Sequence, residues 1–464
     1  MNKFLLLLFP IICFGKNLTF ENRFNPPARE LMDVEIVGDI LIIPGNLDGY
    51  DFYDISDPTL PVHLSNIEVP MGNRAQPGHW VSATDSIAYF SSRTRGGGSA
   101  IVDFSDPSNP THIGALSFTG SGVNNPSLEG SDIFGDMLAV ACHEDGIIMW
   151  DISDPLNPDH NYVRPCENAW IVSFIDSNSW AIGNGEFGVI LEEISCVLDS
   201  CDGSSFMTNG AVKDLIVQDN ILFITQGSAG VSVYDISDIN NPVFLDSYDT
   251  PGLANKIAFF DSNKVAVSDW LDVKILEWTG DSLQLVGYKA TGKRTMSIGA
   301  RDSVIYSAEW QHLQTFSFGE IEDADMDISS WDISFPALEI GESDTFELLI
   351  ENNGQFPLGI TPPSITHGDF SAPNFPEYLD IGDLATAQII YTRSNQNASG
   401  VMQITSNDPD ESQIDVLLVG NYEGGIVGIE APDFTLPIAV NGTGNFTLSD
   451  HLGQIVVLVF FAPG

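Results

Sequence analysis

Basic residues are scarce in this chain of 464 residues. Lysine and arginine together number 17, against 64 aspartates and glutamates, which gives a formal net charge of −47 at pH 7. Such an excess of negative charge repels nucleic acid and anionic membrane surfaces, so neither is expected as a partner. The acidity favours solubility, and we interpret it as that of a salt-tolerant exported protein rather than of a dedicated cation store.

Long apolar runs are also scarce. The N-terminal sequence MNKFLLLLFPIICFG joins one lysine, an apolar run of about ten residues and the small residue Gly15, a pattern typical of a secretory signal peptide over residues 1–15. The run is too short to span a bilayer, and no other segment is long enough to do so. The expected location is secreted, periplasmic or at the cell surface.

Cysteine is rare, and after removal of the signal four cysteines remain: Cys142, Cys166, Cys196 and Cys201. In an oxidising compartment an even number of cysteines favours disulfides. Of the three possible pairings we prefer Cys196 with Cys201 and Cys142 with Cys166. Zinc is disfavoured, because the spacing is not that of a zinc knuckle and no suitably spaced histidine pair follows. The sequence therefore predicts neither a metal nor a cofactor.

A short phrase recurs along the chain and carries most of the architectural information. Its copies are YDISDPTLPVH at 53–63, VDFSDPSNPTH at 102–112, WDISDPLNPDH at 150–160 and YDISDINNPVF at 234–244. The opening aspartates follow one another at intervals of 49, 48 and 84 residues, and the long interval holds a degenerate copy at 189–195. A repeat of this length indicates one supersecondary unit used several times.

Each repeat has the turn spacing of four short strands. Aspartate accepts local backbone hydrogen bonds and proline denies the ladder a donor, so the Asp-Pro pair ends the third strand at the same place in each unit. Seven units begin near Arg29, Arg74, Ser127, Asn168, Gly210, Ala254 and Arg294. Four-stranded units arranged radially form a β-propeller. The seventh unit shows three clear strands, so we expect residues 17–24 to supply the fourth and close the ring.

These repeats resemble the LVIVD repeat family of bacterial surface and secreted propellers over residues 29–319. The resemblance implies a propeller at 17–319 but no particular activity. A stretch with Asp323, Asp325 and Asp327 follows, and we predict a solvated acidic linker at 320–326 rather than a Ca²⁺ loop, because the glycine and terminal glutamate of an EF-hand are missing.

Residues 327–421 resemble the Ig-like β-sandwich of choice-of-anchor D and abnormal-spindle-type proteins. The residues that carry this resemblance are Asn352, Asn353, Gly354, Ser406, Asn407, Asp408 and Pro409. Such modules space or dock other domains, and this one contains no catalytic cluster.

Residues 426–464 resemble the start of a redoxin domain, the thioredoxin-like fold of the alkyl hydroperoxide reductase and thiol-specific antioxidant group. The matching residues include Ala431, Pro432, Asp433, Phe434 and Gly453, followed by a buried strand at 455–461. The resemblance implies a catalytic cysteine at the end of that strand, which is expected beyond Gly464. We therefore expect this domain to be incomplete here, with no catalytic residue in the chain.

Two sets of residues in the propeller are candidates for ligand binding. Alignment of the units places Asp33, His79, Gly130, Lys213, Lys256 and Met296 at matching points of the innermost strands. Two of the few cations there would make a positive mouth that attracts an anion, although chance placement and pairing with neighbours such as Asp214 explain them as well.

Loops between the second and third strands carry aromatic and charged residues suited to a protein or glycan partner. They are Arg93, Arg95, His143, Glu144, Asp145, Trp270, Asp272, Glu309, Trp310 and His312. From both sets we select His79, Lys213, Lys256, His143 and Trp310. The in-register His63, His112 and His160 are explained by repeat inheritance rather than by a metal site.

The sequence thus predicts a mainly β chain: a seven-bladed β-propeller, an Ig-like β-sandwich and an incomplete thioredoxin-like α/β segment. The leading hypothesis is an exported protein whose propeller is a binding scaffold coupled to a thiol-disulfide oxidoreductase or peroxiredoxin-like domain. The alternative is a non-enzymatic cell-surface adhesion or interaction protein. A hydrolase in the channel lacks support, since the chain has no nucleophile elbow, HExxH motif or phosphate loop.

Overall fold

The computed structural model describes residues 17–71, 74–94, 98–123, 126–194, 203–250, 252–261, 263–319, 321, 323–394, 398–409, 411–422, 435–437 and 445–451, and of residues 74, 161, 162, 260, 261, 271, 292, 293 and 422 it describes the backbone alone. The predictions for residues 1–15, Arg95, Cys196, Cys201, Ala431, Pro432, Asp433, Phe434 and Gly453 lie outside the described residues. The chain divides into two compact units, Met1–Glu322 and Asp323–Gly464.

The first unit is built from antiparallel blades, and blades 1 to 5 are separate sheets. Blade 1 contains Arg29–Leu31, Glu35–Val37, Ile40–Leu47, Tyr50–Asp54 and Val62–Ile67, and a short hairpin, Pro70–Met71 with Arg74–Ala75, follows it. Blade 2 contains Trp80–Ala83, Ile87–Ser91, Ser99–Asp103 and Thr111–Gly114, and blade 3 contains Ser131–Phe134, Met137–Ala141, Ile147–Asp151 and Asp159–Arg164. Blade 4 contains Ile171–Phe174, Ser179–Gly183, Val189–Glu193 and Gly203–Phe206, with a 3-10 turn at Gly185–Phe187, and blade 5 contains Asp214–Gln218, Ile221–Thr225, Val231–Asp235 and Val243–Tyr248.

Blades 6 and 7 share one continuous sheet. Blade 6 begins with Ala254–Asp261, which pairs with the first half of the long strand Lys264–Trp278. The second half of that strand pairs with the first half of Leu283–Arg301, whose last residues then pair with Val304–Glu309 and so open blade 7. Two long strands therefore provide the paired segments of both blades without a break.

The N-terminal strand Leu18–Phe24 completes blade 7. It pairs antiparallel with Leu313–Phe318, from Leu18 opposite Phe318 to Phe24 opposite Leu313. Leu18 is fully buried beside Ile305 and Phe316, so the closing strand contributes to the core between blades. The prediction that residues 17–24 close the ring is confirmed.

The recurring Asp-Ser-Asp turn has one hydrogen-bond pattern in four blades. The carboxylate of each opening aspartate accepts the backbone N–H two residues later, which ends the third strand in an Asx turn. The pairs are Asp54 with Ser56 (2.8 Å), Asp103 with Ser105 (2.9 Å), Asp151 with Ser153 (2.9 Å) and Asp235 with Ser237 (2.8 Å). Hydrogen bonds from the serine hydroxyl and from the serine backbone N–H stabilise the ionised form and lower the pKa of all four carboxyls; the hydroxyl contributes more at Asp103, Asp151 and Asp235, and the backbone N–H more at Asp54.

The innermost strands form a closed ring. Each contacts the innermost strand of the next blade, and that of blade 7 contacts Glu35–Val37 of blade 1. Together the segments 33–36, 80–83, 131–133, 171–173, 214–216, 256–258 and 298–300 line a central cavity of about 350 Å³. Seven segments around one cavity place seven blades about a channel.

The second unit is a two-sheet β-sandwich. One sheet contains Met326–Ile328, Ser343–Asn352, Leu384–Thr392 and Phe370–Ser371, and the other contains Asp332–Pro336, Gln413–Tyr422, Ser399–Ser406, Leu358–Ile365 and Tyr378–Leu379. Side chains of both sheets form one hydrophobic core. Beyond it, Thr435–Pro437 pairs with Asn445–Thr447, and a 3-10 turn covers Leu448–His451. The Ig-like relationship stays a prediction.

The loop motifs singled out in the sequence hold the ends of this sandwich. Asn352 is fully buried and donates from Nδ2 to the Phe356 carbonyl at 2.8 Å. The Asn407 side chain accepts the Gly359 N–H at 2.6 Å, and Asp408 accepts the Met326 N–H at 2.8 Å. Asn352 and Asp408 are buried and Asn407 is exposed, and the hydrogen bonds of all three fix the backbone of neighbouring loops.

The stretch predicted as an acidic linker differs from that expectation. The second unit starts at Asp323, and Met326–Ile328 is a strand of the sandwich. Ala324 and Met326 lie in the hydrophobic core, and Asp325 is fully buried. Two apolar side chains alternating along the backbone draw residues 324–326 into the core, so they are not a solvated connector.

Cys142 and Cys166 are free thiols, so the disulfide predicted between them is absent. Cys142 packs in a cluster with Leu138 and Val140, whereas Cys166 packs beside Ala139 and Ala141 in another cluster. Successive residues of a strand point to opposite faces, so the two thiols lie on opposite faces of blade 3. Within the described residues, no helix is long and apolar enough to cross a membrane.

Candidate functional site

A second cavity, of about 250 Å³, lies at one end of the channel, and we call this cavity the mouth. Four basic residues line it: Arg93, Lys213, Lys256 and Arg294. They come from blades 2, 5 and 6 and from the segment between blades 6 and 7. A chain with only 17 lysines and arginines thus gathers four of them around one small opening.

Tryptophan rings lie against all four basic side chains. The Lys256 ammonium lies 3.5 Å from the centroid of the Trp80 ring. Arg93 and Lys213 each lie 4.8 Å from the centroid of the Trp170 ring. Cation–π contacts of this kind stabilise a positive charge without neutralising it.

Arg294 is held between two tryptophans. Its guanidinium lies 4.1 Å from the Trp270 centroid and 5.3 Å from the Trp310 centroid. The backbone N–H of Trp310 also donates to the backbone carbonyl of Arg294 at 3.0 Å. Stacking on the faces leaves the edge of a planar guanidinium open to hydrogen bonding.

Trp270 adopts a backbone conformation that is unusual for an aromatic residue. Its φ is 64°, in the left-handed region that side chains other than glycine rarely occupy. The flanking Asp269 and Asp272 both bind the buried Lys274 ammonium, at 2.7 Å and 2.5 Å. This ion triad holds the strained loop that presents Trp270 to Arg294.

Glu129 is the fully buried carboxylate behind the mouth. It accepts hydrogen bonds from Trp80 Nε1 at 2.9 Å and Arg93 Nη2 at 2.8 Å, and it binds His143 Nε2 at 2.6 Å. Burial opposes ionisation, but the bonds from His143 and the charge of Arg93 outweigh it and hold the pKa of Glu129 below its usual value. The bond to Glu129 raises the pKa of His143. Arg93 is therefore a neutralised cation.

Lys256 is likewise paired. Its ammonium lies 3.0 Å from an Asp33 carboxylate oxygen and 3.9 Å from one of Asp214. Lys256 and Trp80 line both the mouth and the central cavity, so they mark the boundary between the two spaces.

Lys213 and Arg294 differ from these paired cations. In the described part of the chain, neither has a carboxylate within ion-pair distance. Partial burial and the nearby Arg93 charge lower the pKa of Lys213, and partial burial lowers that of Arg294. The charged forms of both side chains thus lack a negative charge at short range and are destabilised by their surroundings. A bound anion would stabilise both charged forms.

His79 adds a neutral donor to the lining. Burial and the Arg93 charge lower its pKa to about 4, so it is neutral at pH 7. Its Nδ1 accepts the backbone N–H of Arg93 at 3.2 Å, which leaves the hydrogen of the neutral ring on Nε2.

The central cavity has the opposite character. Asp33, Glu35, Asp132 and Asp214 line it. Burial raises the pKa of Glu35 to about 8, helped by the charges of Asp33 and Asp132, and raises the pKa values of Asp132 and Asp214 to about 6. Asp33, Asp132 and Asp214 accept backbone N–H groups of the next blade, from Val81, Phe174 and Ile257. These hydrogen bonds connect neighbouring blades. Among the described residues, no group of histidine, cysteine, aspartate or glutamate side chains could hold a metal ion.

The structure brings together most of the residues selected from the sequence. His79, Lys213, Lys256 and Met296 line the mouth, together with Arg93 and Trp270 from the loop set. His143 reaches it through Glu129, and Trp310 through Arg294. Other candidates have structural roles away from the lining: Asp33 pairs with Lys256, Asp272 with Lys274, and His312 with Asn25.

Four residues of the site were not selected from the sequence: Trp80, Glu129, Trp170 and Arg294. Trp80 is the first residue of its innermost strand and Trp170 is the residue before its own, so the two tryptophans stand one position apart when the units are aligned. They are therefore not a repeated feature that the alignment would have shown. Glu129 and Arg294 carry no local signal, because their partners come from other blades.

The three repeat histidines form no common site. His63, His112 and His160 lie on the outer strands of blades 1, 2 and 3. His63 Nε2 bonds the buried Asp51 at 3.0 Å, and His112 Nε2 bonds the Gly114 carbonyl at 2.8 Å. These contacts agree with inheritance from a repeat.

Comparison with known families identifies the repeat. The LVIVD repeat matches residues 95–117 and 209–250. The first unit is a β-propeller with LVIVD repeats. No curated protein matches the chain.

Solved structures similar to the chain are also propellers. The Myceliophteria_thermophila Cps50 (Swd1) β-propeller domain is 13% identical with a TM-score of 0.52, covering 65% of this chain and 99% of its own. The RRP9 WD40 repeats are 8% identical with a TM-score of 0.52, covering 66% and 100%. The Doa1 WD40 β-propeller domain is 12% identical with a TM-score of 0.50, covering 65% and 97%. At these identities the likeness concerns the fold alone.

Proposed function

We propose that the chain is an exported binding scaffold whose propeller mouth binds a small anionic ligand. The observation that carries this proposal is the presence of two cations, Lys213 and Arg294, that have no carboxylate partner among the described residues of a chain of net charge −47. Surface cations in so acidic a protein would ordinarily be neutralised by neighbours. Two that are held against tryptophan rings at a concave opening are arranged to meet charge from outside.

Binding rather than catalysis is the favoured role of this mouth. Its described lining contains no carboxylate, thiol or hydroxyl side chain. Its polar side chains are the four cations, the neutral His79, the Asn255 amide and the tryptophan N–H groups. These groups donate hydrogen bonds and positive charge, but they include no nucleophile with an adjacent base. They suit the recognition of an oxyanion.

The test is titration of the full chain with acetate, sulfate and succinate, followed by calorimetry and by tryptophan fluorescence. We expect at least one of these anions to bind. The double variant Lys213→Met/Arg294→Gln should lose roughly tenfold to a hundredfold in affinity, the usual worth of charge-assisted hydrogen bonds. The matched control is Lys264→Met/Arg301→Gln, which removes two cations that pair with Glu277 and Asp39 outside the mouth. Absence of binding by all three anions, or equal losses in the two double variants, contradicts the proposal.

The remaining segments extend the proposal beyond the propeller. Residues 327–421 act as an Ig-like spacer, and residues 426–464 as the start of a redoxin domain that couples binding to thiol-disulfide or peroxide chemistry. Support comes from the sequence motifs described above and from the two-sheet form of the second unit. Mass spectrometry of the protein from its source would show an N-terminus after residue 15 if it is exported. Reading the source gene past codon 464 would show a cysteine codon if the redox role is right.

A second candidate is a non-enzymatic adhesion or interaction protein at the cell surface. The observation that favours it is the exposure of apolar side chains along the repeated outer turns. Those at least half exposed are Leu60, Val62, Leu156, Val243 and Phe244. Changing these five residues to serine would abolish attachment of the purified chain to source cells if this role is right, and would leave attachment unchanged if it is not.

A further inference from the structure

The two cations that have no carboxylate partner among the described residues are held against different tryptophans. Lys213 precedes the innermost strand of blade 5, and its ammonium leans back over Trp170, which precedes the innermost strand of blade 4. Arg294 lies between Trp270 of blade 6 and Trp310 of blade 7. The Lys213 ammonium and the Arg294 guanidinium are therefore held against different tryptophan rings, at two distinct positions of the mouth.

The other two cations of the mouth are balanced by carboxylates. Arg93 is neutralised by Glu129, and Lys256 by Asp33. The mouth therefore carries two uncompensated positive charges. A monoanion brings one negative charge to these two cations and leaves one of them uncompensated, whereas a dianion compensates both.

The rest of the lining adds an apolar component. Met32, Leu253, Ala254 and Met296 contribute side chains to the same cavity as the two cations. Methylene groups of a ligand would be buried favourably against them. The site thus combines two positive charges with an apolar wall. It is complementary to a molecule that has two negative groups and an apolar body.

The size of the cavity limits the length of that molecule. A volume of about 250 Å³ would hold about eight waters at the density of the liquid. A ligand that fills it has roughly the same number of non-hydrogen atoms or slightly more. A long anionic polymer exceeds this volume, so at most a short segment of it could enter the cavity.

Resting on the proposed function, we infer that the ligand is a short, extended dianion with an oxyanion group at each end, of the dicarboxylate class. One carboxylate binds the Lys213 ammonium and the other binds the free edge of the Arg294 guanidinium. The carbon chain between them lies against the apolar lining. His79 Nε2–H is an additional donor to a carboxylate oxygen.

The test is calorimetric titration of the full chain with unbranched α,ω-dicarboxylates from malonate to suberate, with acetate, butyrate and sulfate as comparison ligands. We expect one chain length to bind best, at least about tenfold more tightly than butyrate, which corresponds to one additional charge-assisted contact. This comparison uses the unaltered protein, so it does not depend on the folding of any variant.

Single variants test the two-ended geometry. Lys213→Met and Arg294→Gln should each reduce the affinity of the best dicarboxylate about tenfold, to the level of butyrate, because each removes one end of the site. Butyrate can use the remaining cation, so its affinity should fall much less. Arg301→Gln, which lies outside the mouth, should change neither.

Two results overturn the inference in distinguishable ways. If sulfate or butyrate binds as tightly as every dicarboxylate, or affinity does not depend on chain length, the two-ended ligand is wrong while the anion-binding function stands. If none of these anions binds, the proposed function fails as well.

Discussion

At the scale of single residues, Glu129 joins parts of the mouth that are distant in sequence. It is fully buried and is contacted by Trp80, Arg93 and His143, which lie 49, 36 and 14 residues away. A buried carboxylate with three donors is stabilising as a set, but removal of its charge leaves its partners without compensation. Glu129 therefore positions Arg93 and Trp80 without itself lining the cavity.

Glu129→Gln should destabilise the propeller by about 3 kcal/mol near pH 6. The depressed pKa of Glu129 means that its contribution is present above the unfolded pKa and is lost as pH falls through the folded value. The raised pKa of His143 means that its contribution is complete below the unfolded pKa and is lost as pH rises through the folded value. The difference in the free energy of unfolding between Glu129→Gln and wild type should thus be largest between the pKa of Glu129 and the pKa of His143. Urea unfolding at about pH 3, 6 and 9 measures it, and a difference independent of pH contradicts the assignment.

Glu35 should show the opposite pH dependence. The pKa of Glu35 is raised to about 8 in the folded state, whereas a glutamate in the unfolded chain has a pKa of about 4.3. Between these two pH values Glu35 is protonated in the folded state and ionised in the unfolded state. Stability therefore falls as pH rises between these values. Glu35→Gln should stabilise the protein on the order of 1 kcal/mol near pH 9, allowing for water in the cavity, and should have little effect near pH 4.

The measurement for Glu35 is urea unfolding of wild type and Glu35→Gln at both pH values. Glu68→Gln is the control, because Glu68 is an exposed side chain after the outer strand of blade 1. Stabilisation by Glu35→Gln that is equal at the two pH values would show that its titration is not the cause.

At the scale of structural elements, the Asx turn is the feature that makes the blades alike. Ser105 contributes both its N–H (2.9 Å) and its hydroxyl (2.6 Å) to one oxygen of Asp103. Three residues later in the turn, Asp106 repeats the pattern with Ser108, at 3.1 Å and 2.5 Å. Two successive Asx turns end one strand and aim the chain into the next.

Asp103→Ala should lower the melting temperature of the propeller, because it removes both hydrogen bonds that fix the turn. Asp103→Asn keeps an acceptor oxygen, so it should retain most of the wild-type stability. The lowered pKa of Asp103 means that the advantage of wild type over Asn is present above the unfolded pKa and disappears as pH falls through the folded value. Thermal melting at about pH 3 and 7 checks this. Equal melting temperatures of the Ala and Asn variants would contradict it.

Local chemistry explains why blades were predictable and parts of the site were not. The turn needs only Asp, Ser and Pro within a few residues, so the sequence shows it directly. The mouth depends on contacts between blades. Lys213 of blade 5 contacts the ring of Trp170 of blade 4, and Arg294 contacts the rings of Trp270 and Trp310. Unit alignment located Lys213 and Lys256 because both stand beside innermost strands. It missed Arg294, whose position depends on the continuous sheet of blades 6 and 7.

Strand alternation also explains two predictions that the structure changes. Cys142 and Cys166 are close in sequence, but their side chains leave blade 3 on opposite faces, which spacing alone does not reveal. Asp323, Asp325 and Asp327 suggested a solvated linker by their charge. The interleaved Ala324 and Met326 are the stronger signal, since burying their side chains brings this stretch into the core even though Asp325 is buried with them.

At the scale of the whole molecule, the chain has at least two separate hydrophobic cores. The core of the second unit contains residues between 324 and 418 only. The core around the closing strand contains residues between 18 and 316 only. Because neither core borrows side chains from the other unit, each unit should unfold as a cooperative transition of its own.

Leu18→Ala and Met402→Ala should separate these transitions. Both side chains are fully buried, one in the closing strand of the propeller and the other in the sandwich core. Each truncation should cost about 2–5 kcal/mol, and each should shift only the transition of its own unit. Arg23→Ala, on the exposed side of the closing strand, should shift neither. Scanning calorimetry measures the transitions, and a single transition moved equally by both truncations would mean that the two units unfold together. A shift with Leu18→Ala as large as that expected for a core residue would also show that the N-terminal strand is a full member of blade 7, since a strand that merely lay on the surface could be truncated at little cost.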